Sequence, residues 1–504
     1  MMYENPDGVM IGLEVHVQLN KLKTKVFCGC ATDYHNDPPN SHVCPVCLGL
    51  PGALPKINKK AVEAAIKVGL ALNCKIEEHT QFYRKNYYYP DLPKGFQITQ
   101  YDFPISSGGY ITIEGEDGEH RVGITRAHME EDPGRLVHEG TIDKSKYTLI
   151  DYNRSGMALL EVVSDPDMRS PKEARRYLDK LRNILEYLDV FDGNLEGALR
   201  VDANISIMGG QRAEIKNISS HKGAERALLY EIVRQKNVLR RGGVVVLETR
   251  HFDEAREITL SMRSKEEAHD YRYFPEPDLV PLKISGWAPA IKETLPELPD
   301  ARRMRFVEQY GITDEQAKSL TGELVWANYF ENVLKTYDEG YKEKLDSKLA
   351  AAWINDYLKA EINYRGTTLT ITYKAGNRTD YAIGVEYTVA ILRKLYLKEI
   401  TDDNAVVLFR HLLDAPAGGE IPRPGKIAED YIMRLLEEKG LLKVEGDIVS
   451  TAAEEAIKEN PQAVADFKAG KEKALNSLVG AVMKKTKGRA DARAAREVLL
   501  GKLG

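Results

Sequence analysis

Four cysteines fall within twenty residues: Cys28-Gly29-Cys30 and, after a 13-residue gap, Cys44-Pro45-Val46-Cys47. Tetrahedral zinc takes four soft ligands, and paired thiolates on tight turns present them. A set of four leaves no position for water, so the expected zinc is structural. Cys74, in Leu72-Asn73-Cys74-Lys75, stands apart and reads as a buried small hydrophobe. A second group is acidic: Glu14 with His16, then His128, Glu130, Glu131 and Asp132, then Glu161. Carboxylates and a histidine from separate strands suit Mg²⁺ holding a nucleoside triphosphate; ordinary solvated charge is the competing reading. A third feature is the polar turn Asn153-Arg154-Ser155-Gly156 leading into an apolar run that carries Glu161. The fourth, Tyr83 to Gly95, interleaves Arg84, Lys85 and Lys94 with tyrosines. That mixture suits phosphate and base contacts, or equally a loop whose tyrosines pack on a sheet. Neither a P-loop pattern nor G-x-G-x-x-G occurs. Ser106-Ser107-Gly108-Gly109 lacks the longer pattern and matching lysine of a serine amidase, and reads as a turn.

The elements that must hold these residues follow from periodicity. A chain of 504 residues predicts two or three domains. With 43% hydrophobic and 29% charged residues it belongs to the soluble globular class, which excludes wholesale disorder and fibrous repeats. No apolar run is long enough for a membrane span, and the first residues, Met1 to Asp7, lack the basic and apolar regions of a signal peptide. A cytoplasmic protein without membrane contact is expected. Val9 to Leu19 alternates as a strand, with Glu14, His16 and Gln18 on one face. Tyr110 to Glu114 and Arg121 to Ile124 predict a hairpin. Ser170-Pro171-Lys172-Glu173 opens a helix whose stripe is Leu178, Leu181, Ile184, Leu185 and Leu188. Ala198 to Ile207 is again a strand, with Arg200, Asp202, Asn204 and Ser206 on its polar face. Prolines 281, 289, 296 and 299 mark a domain boundary. A mainly helical stretch follows to about 410, with a possible strand at Thr367 to Thr372. A second linker runs over Ala415 to Gly419 and Pro422 to Gly425. The predicted domains are 1–292, 293–410 and 411–504. Formal net charge is −5, but from Lys468 onward ten Lys and Arg face three acids. Such a tail suits a polyanionic partner or a solvated helical face.

Several segments taken together resemble the B subunits of aspartyl/glutamyl-tRNA amidotransferases. They are Ile11 to Leu19, Arg84 to Gly95, His128-Met129-Glu130-Glu131-Asp132-Pro133-Gly134, Asn153 to Gly156, Arg200 to Ser206, and Asp270 to Asp278. The tail segments Phe467 to Lys471 and Leu478 to Lys484 match as well, so the resemblance spans nearly the whole chain in the family's order. Many members carry Thr-Pro where this chain has Met157-Ala158, and only some keep the four cysteines. No large insertion of the kind found in the glutamate-specific relatives fits here.

The resemblance implies an α+β multidomain protein. Its mixed-sheet catalytic cradle is similar to glutamine synthetase, and a helical domain and a small helical tail domain follow. The implied reaction is ATP-dependent phosphorylation of the side-chain carboxylate of mischarged Glu-tRNA(Gln) or Asp-tRNA(Asn), then displacement of phosphate by ammonia. It implies ATP, Mg²⁺ and Zn²⁺, with Glu14, His16, Glu130 and Glu161 as catalytic Mg²⁺ ligands and Glu131 and Asp132 nearby. Arg84, Lys85, Arg154 and Arg200 are the expected phosphate-binding residues. Lys468, Lys471, Lys484 and Lys485 are the expected tRNA contacts of the tail. With no glutaminase nucleophile evident, ammonia is expected from an amidase (A) subunit, in a complex that also holds a small C subunit. A non-catalytic RNA-binding or assembly protein with a zinc knuckle accounts for the cysteines and the tail but not for the acidic clusters.

Overall fold

The computed structural model describes residues 5, 7–138, 147–264, 270–342, 344–373, 378–414, 427–442, 444, 446–486 and 489–503. The chain divides into two compact units, Met1–Pro299 and Asp300–Gly504. The expected linker at Ala415 to Gly419 and Pro422 to Gly425 lies outside the described residues, as does most of the segment before Asp7. Among the described residues, no helix is long and apolar enough to cross a membrane.

The first unit is α+β, built on a 12-stranded sheet. Five strands lie side by side and antiparallel at its middle: Ala213–Ile218, Leu199–Ser206, Met10–Gln18, Ala158–Ser164 and Gly118–Glu131. Glu248–Asp253 joins Ala213–Ile218 in parallel, which makes the sheet mixed. Alternation along Met10–Gln18 sends Ile11, Leu13, Val15 and Val17 into one core. There they meet Tyr177, Leu178 and Leu181 of the helix Pro171–Tyr187, and Ala224 and Leu228 of the helix His221–Arg240. The side chains between them must face the other way. The sheet thus has an apolar side closed by helices and a polar side that carries the functional groups.

The helix Pro171–Tyr187 begins as its sequence predicts. Ser170 Oγ accepts from the Glu173 N–H at 3.2 Å, Pro171 takes the first turn, and the Glu173 carboxylate accepts from the Arg169 N–H at 2.7 Å. The stripe Leu178, Leu181, Ile184, Leu185 and Leu188 is buried throughout. Cys74 is buried too.

One reading needs correction. Ser106-Ser107-Gly108-Gly109 is no turn but the start of the strand Ser106–Gly115, paired with Lys75–Ile76 and with Gly118–Glu131. The run is small because the backbone passes close to another segment: a Cβ on Gly109 would collide with Leu72 O and Cys74 Sγ. The hairpin is accordingly longer than periodicity alone suggests, turning at Glu116 and Asp117.

The second unit is mainly helical. Pro299–Tyr310, Asp314–Thr321 and Leu324–Gly340 lead to Ser347–Ala352, which runs through a π-helical turn, Trp353–Leu358, into Lys359–Tyr364. A two-stranded ribbon, Thr370–Tyr373 with Arg378–Tyr381, precedes Val385–Tyr396 and Asp402–Asp414. Toward the C-terminus, Asp447–Glu459, Lys473–Lys485 and Ala492–Leu503 enclose a small core of their own, including Val449, Ala453, Leu478, Val482 and Leu499.

The packing at Gly109 is testable. Gly109→Ala should lower the thermal unfolding midpoint of the protein by several degrees, at a cost of about 2 kcal/mol. Gly286→Ala, where nothing lies within reach of a Cβ, should leave it within the scatter of about 0.5 kcal/mol expected of surface changes. Calorimetry of the two variants side by side checks the difference.

Candidate active site

Strand register decides which polar side chains meet. His16 lies opposite Arg200 on one side and opposite Glu161 on the other, and Glu161 lies opposite His128. Four polar residues thus stand in one row across four strands. His16 Nε2 is 3.4 Å from Glu161 and 3.8 Å from Glu130, and His128 Nε2 is 3.3 Å from Glu161. One residue row away, Glu14 lies opposite Asp202. Glu14 accepts from Asn204 Nδ2 at 2.9 Å, and Lys216 Nζ bridges Asp202 and Glu214 at 2.6 and 2.9 Å. Two groups of donor atoms result, each within 4.8 Å of one another: His16, Glu130 and Glu161, and Glu14, Asp202 and Glu214. Asp202 and Glu214 do not stand out as site residues in the sequence. The polar face of Arg200, Asp202, Asn204 and Ser206 is the available signal for Asp202.

The electrostatics are those of crowded carboxylates. Burial, and then the charges of Glu161, Asp202 and Glu214, push the Glu14 carboxyl up, against the hydrogen bond from Asn204. Burial and Glu161 push Glu130 up as well. Burial also opposes charge on Glu161, but His128 and His16 outweigh it and hold that carboxyl well below the usual range. Burial disfavours the His16 cation, yet the hydrogen bond to Glu161 and the charge of Glu130 raise His16 to about 9. Hard carboxylate oxygens with one imidazole fit a divalent cation of the Mg²⁺ kind. A cation between them would replace the proton on His16 and relieve the repulsion that raises Glu14 and Glu130.

At the far end of the first strand, Gln18 Nε2 donates to Asp132 Oδ2 at 2.5 Å and Arg200 donates to Asp132 Oδ1 at 2.6 Å. Arg154 approaches the same carboxylate at 3.7 Å and donates to the Pro133 and Gly134 carbonyls. Arg200 and Arg154 overcome burial and hold the Asp132 carboxyl below its usual range. Lys85 reaches toward this region, its Nζ 4.8 Å from the Tyr271 ring centre and close enough to stabilise the Glu130 charge. Two of the expected site residues go elsewhere. Glu131 follows Glu130 and turns to the opposite face, where it accepts from the Ile98 N–H at 2.8 Å and pairs with Lys94. Arg84 is committed to Glu276 at 2.7 and 2.8 Å and to Asp278 at 3.2 Å.

The four cysteines converge. All four Sγ atoms lie within 4.8 Å of one another, and Cys44 and Cys47 are 3.8 Å apart. That spacing is the edge of a tetrahedron with bonds of about 2.3 Å, as zinc and thiolate form. The hydrogen bond from Cys28, with help from Lys25, holds the Cys47 thiol below its ordinary value, and sharing with Cys47 raises Cys28. Lys25 is fully buried and also donates to His42 O at 2.7 Å. The loop is tied to the turn that carries Arg154. His42 N donates to Asn153 Oδ1 at 2.7 Å, Asn153 Nδ2 to Pro38 O at 2.8 Å, and Ser155 Oγ to Cys47 O at 3.2 Å. Gly156, at φ +82°, brings its backbone against the Cys47 side chain. In the second unit, Lys468 and Lys484 are exposed, Lys471 pairs with Asp466, and Lys485 pairs with Glu455 and Glu459.

Because Asp132 has a lower pKa folded than unfolded, its contribution to stability is present above the ordinary aspartate range and is lost as pH falls through the folded value. Asp132→Asn should therefore cost more than about 1 kcal/mol at pH 7. The gap between variant and parent should close on acidification below about pH 4. Urea unfolding at a series of pH values measures it.

Two family models match the chain. Residues 9–288 match the GatB/GatE catalytic domain, and residues 328–503 match the GatB domain. Similar curated proteins are named as the B subunit of aspartyl/glutamyl-tRNA(Asn/Gln) amidotransferase. That of Methanococcoides burtonii is 62% identical over 503 residues, covering 100% of both chains. That of Methanosarcina mazei is 61% identical over 511 residues, again covering 100% of both, and that of Carboxydothermus hydrogenoformans is 46% identical over 504 residues and 98% of both. With its acidic floor in the matched catalytic segment and identity sustained end to end, the chain belongs to the family of aspartyl/glutamyl-tRNA(Asn/Gln) amidotransferase B subunits.

Proposed function

We propose that this chain is the one that activates and amidates mischarged tRNA. ATP phosphorylates the side-chain carboxylate of Glu-tRNA(Gln), Asp-tRNA(Asn) or both, and ammonia from a partner amidase (A) subunit then displaces phosphate to give the amide. A small C subunit completes the complex. The observation that carries this reading is the pair of acidic clusters on one sheet face, inside the segment that matches the family's catalytic domain. A free carboxylate is a poor acyl donor, so the chemistry needs a phosphoryl transfer first. Glu14, Asp202 and Glu214 would hold one Mg²⁺ and His16, Glu130 and Glu161 another; when bound, these ions offset charge on the transferring phosphoryl group. Glu131 is left out of this set, since Lys94 and the Ile98 N–H occupy it.

The chain's own groups do the rest. Arg200 and Lys85 border the floor and would orient phosphate oxygens, while Arg154 braces the Asp132 turn. Arg84, engaged by Glu276, would serve the fold rather than a phosphate. The polar face of a mixed sheet, with its carboxylates gathered on one side, supports a cradle akin to that of glutamine synthetase. In this reading the chain works in three parts: a catalytic cradle over 1–292, a helical middle over 293–410, and a basic tail over 411–504. Exposed Lys468 and Lys484 would grip tRNA there, with Lys471 and Lys485 beside them. The cysteine loop would bind one structural Zn²⁺, and a cytoplasmic location fits a partner in translation.

Two measurements test this. In the assembled complex with mischarged tRNA, Glu14→Gln and Asp202→Asn should each lower tRNA-dependent phosphate release at least a hundredfold while glutaminase activity of the partner persists. Release at the parent rate would remove the metal assignment. Freshly purified protein should contain one zinc per chain, and Cys44→Ser should lose it along with several degrees of thermal stability; metal analysis that finds none refutes the structural site.

A further inference from the structure

One end of the acidic floor is bordered by a run of aromatic rings that the proposed chemistry leaves unused. Tyr83 meets Tyr101 edge-on at 6.0 Å, Tyr101 stacks on Tyr273 at 4.2 Å with rings 6° from parallel, and Tyr273 meets Tyr271 at 6.1 Å. Tyr271 in turn meets Tyr87 at 6.0 Å. These rings come from three segments brought together by pairing: Phe82–Asn86 with the Tyr87 that follows it, the residues after Phe96–Gln100, and the approach to the short strand Phe274–Pro275. The Asn86 N–H, donating to Tyr271 O at 2.9 Å, fixes that approach.

This is not ordinary core. Tyr101 is 52% exposed, and the neighbouring Tyr88 and Phe103 are exposed at 86% and 47%. Tyr101 is the exposed member of a stack whose other rings are half-buried (Tyr87, Tyr271 and Tyr273) or buried (Tyr83), so it offers a ring to a partner from a fixed support. Cations stand among them: Lys85 lies over the Tyr271 ring, and the Arg272 side chain is exposed. Rings for bases with cations for the backbone are the parts of a single-strand nucleic acid site. The ledge is continuous with the acidic floor, since Thr99, two residues before Tyr101, lies opposite Glu130 on one side and Tyr83 on the other.

We propose that this ledge stacks the unpaired 3′ end of the aminoacyl-tRNA, with the terminal base on the exposed face of Tyr101 and the acyl group directed over Glu130 and Glu161. The proposal rests on the functional reading above and adds to it the residues that place the substrate. Chemistry favours this occupant over the adenine of ATP. The acyl carboxylate is separated from the terminal base by one ribose and a short side chain, whereas the γ-phosphate of ATP is separated from its base by a ribose and two further phosphates. A base platform directly beside the carboxylates suits the shorter molecule.

The test uses the complete complex and mischarged tRNA whose 3′-terminal base is 2-aminopurine, which loses fluorescence when stacked. Binding to the parent complex should quench the probe. Tyr101→Leu should relieve the quench and raise the KM for mischarged tRNA about tenfold, with the KM for ATP unmoved. Tyr101→Phe, which keeps the ring, should behave as the parent does. Absence of quenching with the parent complex overturns the proposal, without relying on any variant. An unchanged KM for tRNA in Tyr101→Leu overturns it too, as does a raised KM for ATP with tRNA binding intact, which would give the ledge to the nucleotide. Failure of the parent complex to amidate any mischarged tRNA is a different result: it refutes the functional reading itself.

Discussion

The constraint on which the first unit turns is the repulsion among carboxylates gathered on one side of a sheet. Glu14, Glu130, Glu161, Asp202 and Glu214 approach one another closely enough that two of them, Glu14 and Glu130, are pushed toward neutrality. Such a cluster is tolerated because basic side chains are set against it. His16 and His128 flank Glu161, and Lys216 bridges Asp202 and Glu214. The balance is incomplete: the arrangement is stable enough to fold and still presents oxygen atoms whose charge a divalent ion would satisfy better than a proton does.

Much of the surrounding structure serves to hold that face still. The helices Pro171–Tyr187 and His221–Arg240 close the apolar side, and slippage of a strand by a single residue would turn its charged groups into the apolar core beneath them. The Asp132 turn is pinned by Gln18, Arg200 and Arg154. The cysteine loop, through His42, Asn153, Ser155 and Gly156, clasps the adjoining turn that carries Arg154, and the Gly156 N–H donates to Asp132 O at 2.9 Å. A structural metal in that loop would act at a distance from the reaction and still influence it, because Arg154 sits on the turn it supports.

The paired cysteines, the alternating Glu14 and His16, and the capped helix at Ser170 were legible because each is a local pattern: close spacing, period two, and an N-terminal box. His128, Glu130 and Glu161 were legible as types, and the resemblance to amidotransferase B subunits grouped them. Local pattern misled at Ser106 to Gly109, where small residues reflect a close backbone approach rather than a turn.

What the sequence determined by itself, then, is which strands have a polar face and what chemistry stands on it. Which of those faces adjoin was decided by tertiary structure alone. Asp202 and Glu214 become partners of Glu14 only through the pairing of Met10–Gln18 with Leu199–Ser206 and of that strand with Ala213–Ile218. Tyr101 and Tyr273, distant in sequence, share a stack for the same kind of reason. Conversely, Glu131 and Arg84 match the expected residue types but are claimed by Lys94 and Glu276, contacts no periodicity contains. Periodicity reports the direction of a side chain relative to its own strand, whereas a site depends on the register between strands, which is set by packing across the whole sheet.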